Sequence, residues 1–262
     1  MRVFALLLMA PMIAFAEDTP VNAGPYVPSP QSVVSDMLKL AEVGPQDFVI
    51  DLGSGDGRIV RTAALVFGAR GFGVEIKDPL VRQSNAAAAR EGIADRVKFI
   101  KADLFKTDIS QATVLTMYLL PDTVNLLRDK LLAELRPGTR VLSHDYPLSG
   151  WIPEKYVQMD LEDKVKISGV TTTLIYLYVV PAKVEGRWQA TLPDGTATLS
   201  LRQQITRVSG TARYRGKDVP LEDVKLRGER LSFRMAGREL AGRVSGAAIE
   251  GDAGAWSAQR VK

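Results

Sequence analysis

The stretch that decides the fold reads Phe48-Val49-Ile50-Asp51-Leu52-Gly53-Ser54-Gly55-Asp56-Gly57-Arg58. Its first five residues form a short apolar run, which is typical of a buried strand. The next residues alternate with glycine, which permits positive φ and a close approach of a ligand to the backbone. The apolar spacing from Gly57 to Phe67 then predicts a helix. The stretch therefore predicts a strand, a tight turn and a helix, with a ligand site at the turn.

Working outward from this unit, short apolar runs alternate with stretches of helical spacing. The predicted strands after the first are 71–76, 97–102, 114–120 and 139–143, and the predicted helices between them are 79–91 and 123–135. Strands separated by helical crossovers form a parallel, doubly wound sheet. Two more strand-like runs, 156–161 and 171–180, are expected to close the sheet with a hairpin at one edge. The prediction is a mostly parallel, seven-stranded, Rossmann-like α/β sheet.

A further helix is expected ahead of the first strand. Three prolines, Pro25, Pro28 and Pro30, bias the residues before them away from the helix. Ser29 is placed to cap a helix whose first residue is Pro30 and which runs to about Ala41.

The periodicity changes from helical spacing to a period of two after Pro181. Short alternating runs are separated by turn residues such as Pro193-Asp194-Gly195, which is typical of an antiparallel meander that closes into a small barrel or sandwich. The formal charge changes at the same place, from −2 over residues 1–182 to +6 over residues 183–262. We therefore predict an α/β domain at 17–182 and a basic all-β accessory domain at 183–262.

Composition limits the chemistry that the chain can perform. Of its 262 residues, 46% are apolar and 24% are charged, which is ordinary for a globular protein. Because there is no cysteine and the only histidine is His144, thiolate zinc sites, cysteine nucleophiles and multi-histidine metal sites are excluded. We predict no metal site.

The first 16 residues, MRVFALLLMAPMIAFA, have the pattern of an export signal. Arg2 provides a minimal positive region, an apolar run follows, and Ala14-Phe15-Ala16 fits a cleavage site. The apolar run is short of the ~20 residues that span a bilayer. The chain is expected to be exported or anchored by this segment, and to be cytoplasmic if the start codon is wrongly assigned.

Two ligands suit a glycine turn followed by an acid such as Glu75, which ends the second strand. A dinucleotide would place its pyrophosphate at the helix N-terminus and its ribose on the acid. The turn, however, carries Asp51 and Asp56, and two unit charges ~4 Å apart repel by ~4 kcal/mol at an effective dielectric constant near 20. S-adenosylmethionine has no phosphate and presents an ammonium and a sulfonium group. The carboxylates therefore favour S-adenosylmethionine over NAD.

From about Tyr26 to Val180 the chain resembles the class I S-adenosylmethionine-dependent methyltransferases. The resemblance rests on three motifs in register: 51–58, Val74-Glu75-Ile76 and Ala102-Asp103-Leu104. It implies that Asp51 and the turn Gly53, Ser54, Gly55, Asp56 and Gly57 approach the methionine part of the cofactor. It also implies that Glu75 binds the ribose hydroxyls, that Ile76 flanks the adenine, and that Asp103 and Leu104 lie near its amino edge.

Three shorter matches are similar to the ATP synthase c-subunit lysine methyltransferases and their bacterial relatives. They are Pro25-Tyr26-Val27-Pro28-Ser29, the stretch 51–58 and Tyr118-Leu119-Leu120-Pro121. The resemblance implies that Tyr26 closes over the cofactor and that Tyr118 lies beside the transferred methyl group. It also implies a protein lysine as substrate, in a membrane-associated protein, and it does not extend to the last 80 residues.

Methyl transfer is an in-line displacement that depends on positioning more than on acid–base chemistry. A lysine nucleophile must lose its proton and be held by hydrogen-bond acceptors. The Tyr118 hydroxyl and the backbone carbonyls just before Pro121 suit this role. Tyr118 and Pro121 are therefore the two candidate catalytic residues. Alternatively, Tyr118 is a strand aromatic and Pro121 starts a helix. His144 is either a general base or a structural histidine, and Trp151 either packs on the sheet or lines a substrate groove.

Protein-lysine methylation with S-adenosylmethionine as cofactor is thus the predicted function. The alternatives are methylation of a small molecule or lipid by the same site, and an exported, non-catalytic binding protein that keeps the fold. The basic accessory domain either recruits an acidic partner or uses its arginines to keep strand edges soluble. No aromatic stacking platform is evident in it, so the nucleic-acid signal is weak.

Overall fold

The computed structural model describes residues 26–162, 164, 165 and 169–261. The predicted export signal, 1–16, lies outside the described residues, as does the segment 22–25. Within the part that is described, no helix combines the length and the apolar character needed to cross a membrane.

The first half of the chain forms the predicted mostly parallel α/β sheet. Its elements are α1 (Gln31–Leu40), β1 (Phe48–Leu52), α2 (Arg58–Phe67), β2 (Arg70–Glu75), α3 (Asp78–Arg90), β3 (Val97–Lys101), β4 (Val114–Met117), α4 (Pro121–Glu134), β5 (Arg140–His144), β6 (Lys155–Asp160) and β7 (Thr172–Val179). The strand order is β3-β2-β1-β4-β5-β7-β6, with β1 to β5 parallel and β7 antiparallel to both β5 and β6. The predicted hairpin at the sheet edge is confirmed.

Both faces of this sheet are covered, because its strands carry apolar residues on both sides. On one face Leu115, Met117 and Val141 pack with Leu127 and Leu131 of α4. The other face packs against α1 and α2. Because both faces are packed, the edge formed by the carboxyl ends of β1, β2, β3 and β4 is left for a site, which the loops after these strands can form.

The predicted cap of α1 is wrong. Pro30 occupies the N-cap position, and no side chain makes a capping hydrogen bond there. The Ser29 hydroxyl is instead 2.8 Å from Nδ1 of His144, at the end of β5. Since both residues are buried, this tertiary partner replaces the local one that the sequence suggested.

The second half forms one nine-stranded antiparallel sheet that is nearly closed into a barrel. Its strands are β8 (Gly186–Leu192), β9 (Gly195–Gln204), β10 (Arg207–Tyr214), β11 (Lys217–Pro220), β12 (Glu222–Arg227), β13 (Arg230–Met235), β14 (Arg238–Ser245), β15 (Ala248–Gly251) and β16 (Ser257–Arg260), with a short 3-10 helix at Asp252–Gly254. The strand order is β11-β10-β9-β8-β16-β15-β14-β13-β12. In it β8, the first of these strands along the chain, pairs with β16, the last. The N–H of Leu221, directly after β11, donates to the carbonyl of Gly210 in β10 and so extends the β10–β11 ladder by one residue pair. The predicted antiparallel meander is thus confirmed, and of the barrel and the sandwich that the sequence left open, the single curved sheet forms the barrel.

The barrel is attached to the α/β sheet through a short connection that hydrogen bonds hold in place. The side chain of Gln203 bonds to the backbone of Ala182 and Val184, and the N–H of Ala182 donates to Gly228. An ion pair joins Arg227 of the barrel to Glu154 before β6, at 2.7 Å. The α/β sheet ends before this connection, and the barrel sheet begins after it. The domain boundary at 182/183 stays a prediction.

Candidate active site

A cleft lies at the carboxyl ends of β1, β2, β3 and β4, where the sequence predicted a ligand site. Of the predicted cofactor and catalytic residues, it is lined by Tyr26, Asp51, Gly53, Ser54, Gly55, Asp56, Glu75, Ile76, Asp103, Leu104 and Tyr118. These residues are contributed by four strand ends and by the segment before α1, and the fold brings them to one place.

The glycine turn is shaped by hydrogen bonds to the neighbouring strand. The N–H groups of Gly53 and Ser54 both donate to the carbonyl of Val74, at 2.9 Å each. Gly53 has φ of +77°, and a Cβ atom there would lie 2.6 Å from the Leu119 side chain. The turn thus requires glycine both for its conformation and for the close approach of the end of β4.

The segment before α1 covers the next part of the turn. Gly55 has φ of +53°, and a Cβ atom there would lie 2.4 Å from the ring of Tyr26. Arg58 fixes this segment, because it donates to the carbonyl of Ser29 at 2.7 Å and forms a bidentate pair with Asp56. Arg58 also holds the pKa of Asp56 below its usual range against the opposing effect of partial burial.

Asp51 is the most deeply buried acid of the cleft. It is 2% exposed, and the Thr116 hydroxyl donates to its Oδ1 at 2.7 Å. Burial raises the pKa of Asp51 to about 7, and the nearby Glu75 and Asp56 charges act in the same direction. A cationic ligand group beside Asp51 would reverse this effect, since an opposite charge favours the carboxylate.

Glu75 and Asp103 are oriented by backbone N–H groups. The two oxygens of Glu75 accept from Gly55 at 3.0 Å and from Lys77 at 2.9 Å. Asp103 accepts from Phe105 at 2.8 Å. Because a carboxylate has about four acceptor sites, each acid retains capacity to accept hydrogen bonds from a ligand.

Two of the predicted site residues do not line the cleft. Gly57 is the N-cap residue of α2, with φ of +77°, and a Cβ atom there would lie 2.5 Å from the Phe99 ring. Pro121 is the first residue of α4, as in the alternative interpretation of this proline. Gly57 therefore shapes the turn from behind, and Pro121 starts a helix.

Tyr118 lies at the end of β4, with its ring against His144 at a centroid distance of 3.9 Å. Its hydroxyl donates to Oδ2 of Asp145 at 3.1 Å, and burial together with the Asp145 charge raises the pKa of Tyr118. The hydroxyl therefore stays protonated at neutral pH and does not act as a base.

His144 is a structural residue. It is fully buried, its Nδ1 is 2.8 Å from the Ser29 hydroxyl, and its Nε2 is 3.1 Å from the Thr173 hydroxyl. Burial lowers the pKa of His144 to about 4, so the ring is neutral at physiological pH. Trp151 packs on Tyr178 at 5.3 Å and is 3% exposed, so it belongs to the core.

Sequence reasoning missed Lys77, which lines the cleft, and Asp145 and Lys164, which lie behind Tyr118. Lys77 directly follows the motif Val74-Glu75-Ile76, so the sequence could have indicated that it lies beside the cofactor. The contact of Asp145 with Tyr118 spans 27 residues and depends on the pairing of β4 with β5, for which the sequence carries no local signal.

Comparison with known proteins identifies the family. A family profile described as the ANTKMT methyltransferase domain matches residues 51–155. A protein-lysine N-methyltransferase from Saccharolobus islandicus is 42% identical over 157 residues, which cover 60% of this chain and 93% of that protein. The chain belongs to the protein-lysine N-methyltransferase family. Its cofactor is S-adenosylmethionine.

Two other similarities extend this result. The ATP synthase c-subunit lysine N-methyltransferase of Xenopus laevis is 35% identical over 130 residues, which span 50% of this chain and 57% of that relative. A crystal structure of an RNA methyltransferase from Salinibacter ruber, in complex with S-adenosyl-L-homocysteine, is 45% identical with a TM-score of 0.54. That similarity covers 60% of this chain and 96% of the Salinibacter chain.

The residues of the cleft fit S-adenosylmethionine. Of the side chains described, Ser54 has a buried hydroxyl without a hydrogen-bond partner within the protein, and it lines the cleft. The lack of a Cβ atom at Gly53 and Gly55 lets the Leu119 and Tyr26 side chains approach the turn, where they form walls of the cleft. The acids Asp51, Glu75 and Asp103 provide acceptors for the ammonium and hydroxyl groups of this methyltransferase cofactor.

Proposed function

We propose that this methyltransferase modifies the side-chain amine of lysine in a protein. The observation that carries the proposal is the 42% identity to a protein-lysine N-methyltransferase over 93% of that relative's length. The chain spans a little more than half the length of the animal relatives. Their substrates are therefore attributed to those proteins, and for this chain they are proposals.

Each part of the cleft has a task in this proposal. Asp51 and the unpartnered Ser54 hydroxyl bind the polar methionine end of the cofactor, and Glu75 binds the ribose hydroxyls. Tyr26 covers the glycine turn and excludes water. When bound, S-adenosylmethionine would supply a methyl group on its sulfonium. The lone pair of the lysine amine forms the new C–N bond as the C–S bond breaks. The products are S-adenosylhomocysteine and the methylated lysine amine in its protonated form.

The acceptor amine must be neutral when it reacts, because a protonated ammonium has no lone pair to attack with. The site offers no general base in His144, which is fully buried with both ring nitrogens hydrogen-bonded. We propose that the lysine loses its proton to water before it enters, and that the hydroxyl oxygen of Tyr118 accepts a hydrogen bond from its N–H.

RNA is the second candidate acceptor. The Salinibacter chain, named as an RNA methyltransferase, is 45% identical over 96% of its length. In this chain the arginines of the barrel are largely paired with carboxylates, as in Arg238 with Asp194 at 2.6 Å and Arg234 with Glu222 at 2.9 Å. Such pairing leaves less positive charge to bind phosphates, and supports the solubility interpretation of these arginines.

The first test measures cofactor binding by calorimetry with S-adenosylmethionine, with Asp51→Ala as the control. We expect binding by the wild type and a loss of at least about tenfold in affinity for the variant, since one charge-assisted contact is worth about 1.5–3 kcal/mol. An absence of binding by the wild type would favour the non-catalytic binding protein.

The second test identifies the acceptor. The enzyme is incubated with methyl-labelled cofactor and separated soluble, membrane, RNA and lipid fractions, and labelled protein is hydrolysed to amino acids. We expect label in methylated lysine, and we propose that the membrane fraction contains the labelled protein. Label only in RNA or only in lipid would contradict lysine methylation.

Export is a separate proposal, which rests on the pattern of residues 1–16. Amino-terminal sequencing of the protein from its host should find Glu17 at the start of the mature chain. A chain that begins at Met1 would contradict cleavage.

A further inference from the structure

Asp145 occupies an unusual position directly behind Tyr118. It follows the last residue of β5 and has φ of +64°, a left-handed conformation that is uncommon for residues other than glycine, asparagine and aspartate. Its side chain is 13% exposed. Such backbone conformations persist where the surrounding structure holds them.

Several donors converge on the Asp145 carboxylate. Oδ1 accepts from the Lys164 ammonium at 2.7 Å and from the N–H of Leu174 at 3.1 Å, and lies 3.3 Å from the Thr173 hydroxyl. Oδ2 accepts from the Tyr118 hydroxyl at 3.1 Å. Burial would raise the pKa of Asp145, but His144, Lys164 and the Leu174 N–H outweigh it and hold the carboxyl below its usual range.

We propose that Asp145 is a positioning residue that makes the Tyr118 hydroxyl an acceptor only, so that the hydroxyl does not occupy the lone pair of the attacking amine. A phenol has a single proton, and Asp145 is an ionised partner for it. With that proton directed away from the cleft, the oxygen presents only lone pairs to the substrate. This inference rests on the proposed lysine methylation.

The consequence concerns the reacting lone pair. A hydroxyl free to rotate would donate its proton to the amine nitrogen and occupy the lone pair that attacks the methyl carbon. A hydroxyl held by Asp145 instead accepts from the amine N–H, which leaves the lone pair available.

The test is a double-mutant cycle between Tyr118→Phe and the pair Asp145→Asn with Lys164→Met. Asparagine tolerates the left-handed conformation, and the Lys164 change removes the positive charge that the Asp145 carboxylate balances. Each single arm is expected to lower kcat by about 100-fold, the typical effect of misplacing a group at the reacting atoms. Combining the two arms should lower kcat no further than Tyr118→Phe alone, because both remove the same hydrogen bond.

Two controls separate this role from a merely structural one. Affinity for S-adenosylmethionine should stay within about twofold in the paired Asp145→Asn, Lys164→Met variant, because neither residue lines the cofactor cleft. Asp160→Asn, which changes an exposed aspartate that bonds the Thr172 hydroxyl in the same hairpin, should keep wild-type kcat. If the paired variant does not fold, Asp145→Glu keeps both charges, moves the carboxylate by one methylene, and is expected to lower kcat.

Wild-type kcat in a folded Asp145 variant, or losses that multiply when the two arms are combined, would overturn the inference. These results are distinct from failure of the proposed function, in which the wild type itself labels no protein lysine.

Discussion

Asp51 shows how a single residue gives up stability for ligand binding. Its carboxyl group is fully buried among other acids, so the folded protein binds a proton at this site more tightly than the unfolded chain does. The contribution of Asp51 to stability therefore falls as pH rises from about 4, the usual pKa of aspartate, to about 7, its pKa in the folded protein. Above pH 7 the buried charge costs on the order of 4 kcal/mol.

Asp51→Asn should remove this cost, because asparagine can still accept from the Thr116 hydroxyl without carrying a charge. We expect the variant to be more stable than the wild type towards urea at pH 8, and the difference to shrink at pH 5. Wild-type affinity for S-adenosylmethionine should rise about tenfold from pH 6 to pH 8, as Asp51 loses its proton. A variant less stable than the wild type at pH 8 would contradict the burial argument.

Gly55 tests the role of close approach in the same cleft. Gly55→Ala adds a Cβ atom against the Tyr26 ring, whereas Gly92→Ala adds one at a similar positive φ with no atom within 4 Å. Both changes cost about 1 kcal/mol of backbone strain. Only Gly55→Ala should also weaken S-adenosylmethionine binding, by about tenfold, since each 1.4 kcal/mol changes affinity by this factor. Equal affinities of the two variants in calorimetry would show that the close approach of Tyr26 to Gly55 does not contribute to S-adenosylmethionine binding.

At the scale of elements, α1 is connected to the sheet by a contact that its own sequence does not reveal. Ser29 precedes the helix in a position typical of a cap, but its hydroxyl bonds to His144 and its carbonyl accepts from Arg58. One residue thus joins α1 to the end of β5 and to the start of α2. This contact also holds the segment that carries Tyr26 over the cleft.

Ser29→Ala should leave Nδ1 of His144 buried without its partner and lower the free energy of unfolding by about 1–3 kcal/mol. Ser35→Ala is the matched control, because the Ser35 hydroxyl bonds to the Gln31 carbonyl of its own helix at an exposed position. Urea unfolding of both variants measures the difference. Equal stabilities would mean that the Ser29–His144 bond contributes nothing.

At the scale of the whole molecule, strand β16 joins the first barrel strand to β15 and secures the attachment of the barrel. The guanidinium of Arg260 lies 4.3 Å from the Trp188 ring, and it donates to the carbonyls of Lys183 and Glu185 in the connection between the two sheets. The last strand therefore holds both the first barrel strand and the connection.

Arg260→Ala should lower the melting temperature by several degrees, because it removes a cation–π contact and two carbonyl hydrogen bonds worth roughly 1–3 kcal/mol together. Arg243→Ala, which removes an ion pair between Glu229 and an arginine side chain that is 74% exposed, should change stability by less than about 1 kcal/mol. Calorimetric melting of both variants checks the ranking. An Arg243 effect equal to that of Arg260 would contradict it.

The amino-acid sequence by itself determined the order and type of nearly all elements, because hydrophobic periodicity and glycine turns are local signals. It also determined the cofactor, since Asp51, Glu75 and Asp103 lie at the carboxyl ends of three strands, which must meet at one rim of a parallel sheet. It left open barrel against sandwich, and the roles of His144 and Trp151.

Only the tertiary structure decided those roles, because they depend on contacts between residues far apart in the chain. Strand pairing brings Asp145 behind Tyr118, and the packing of α1 brings Ser29 to His144. Burial then makes His144 neutral and raises the pKa of Asp51. Burial and long-range pairing arise only when the chain is folded, so no local pattern announces them.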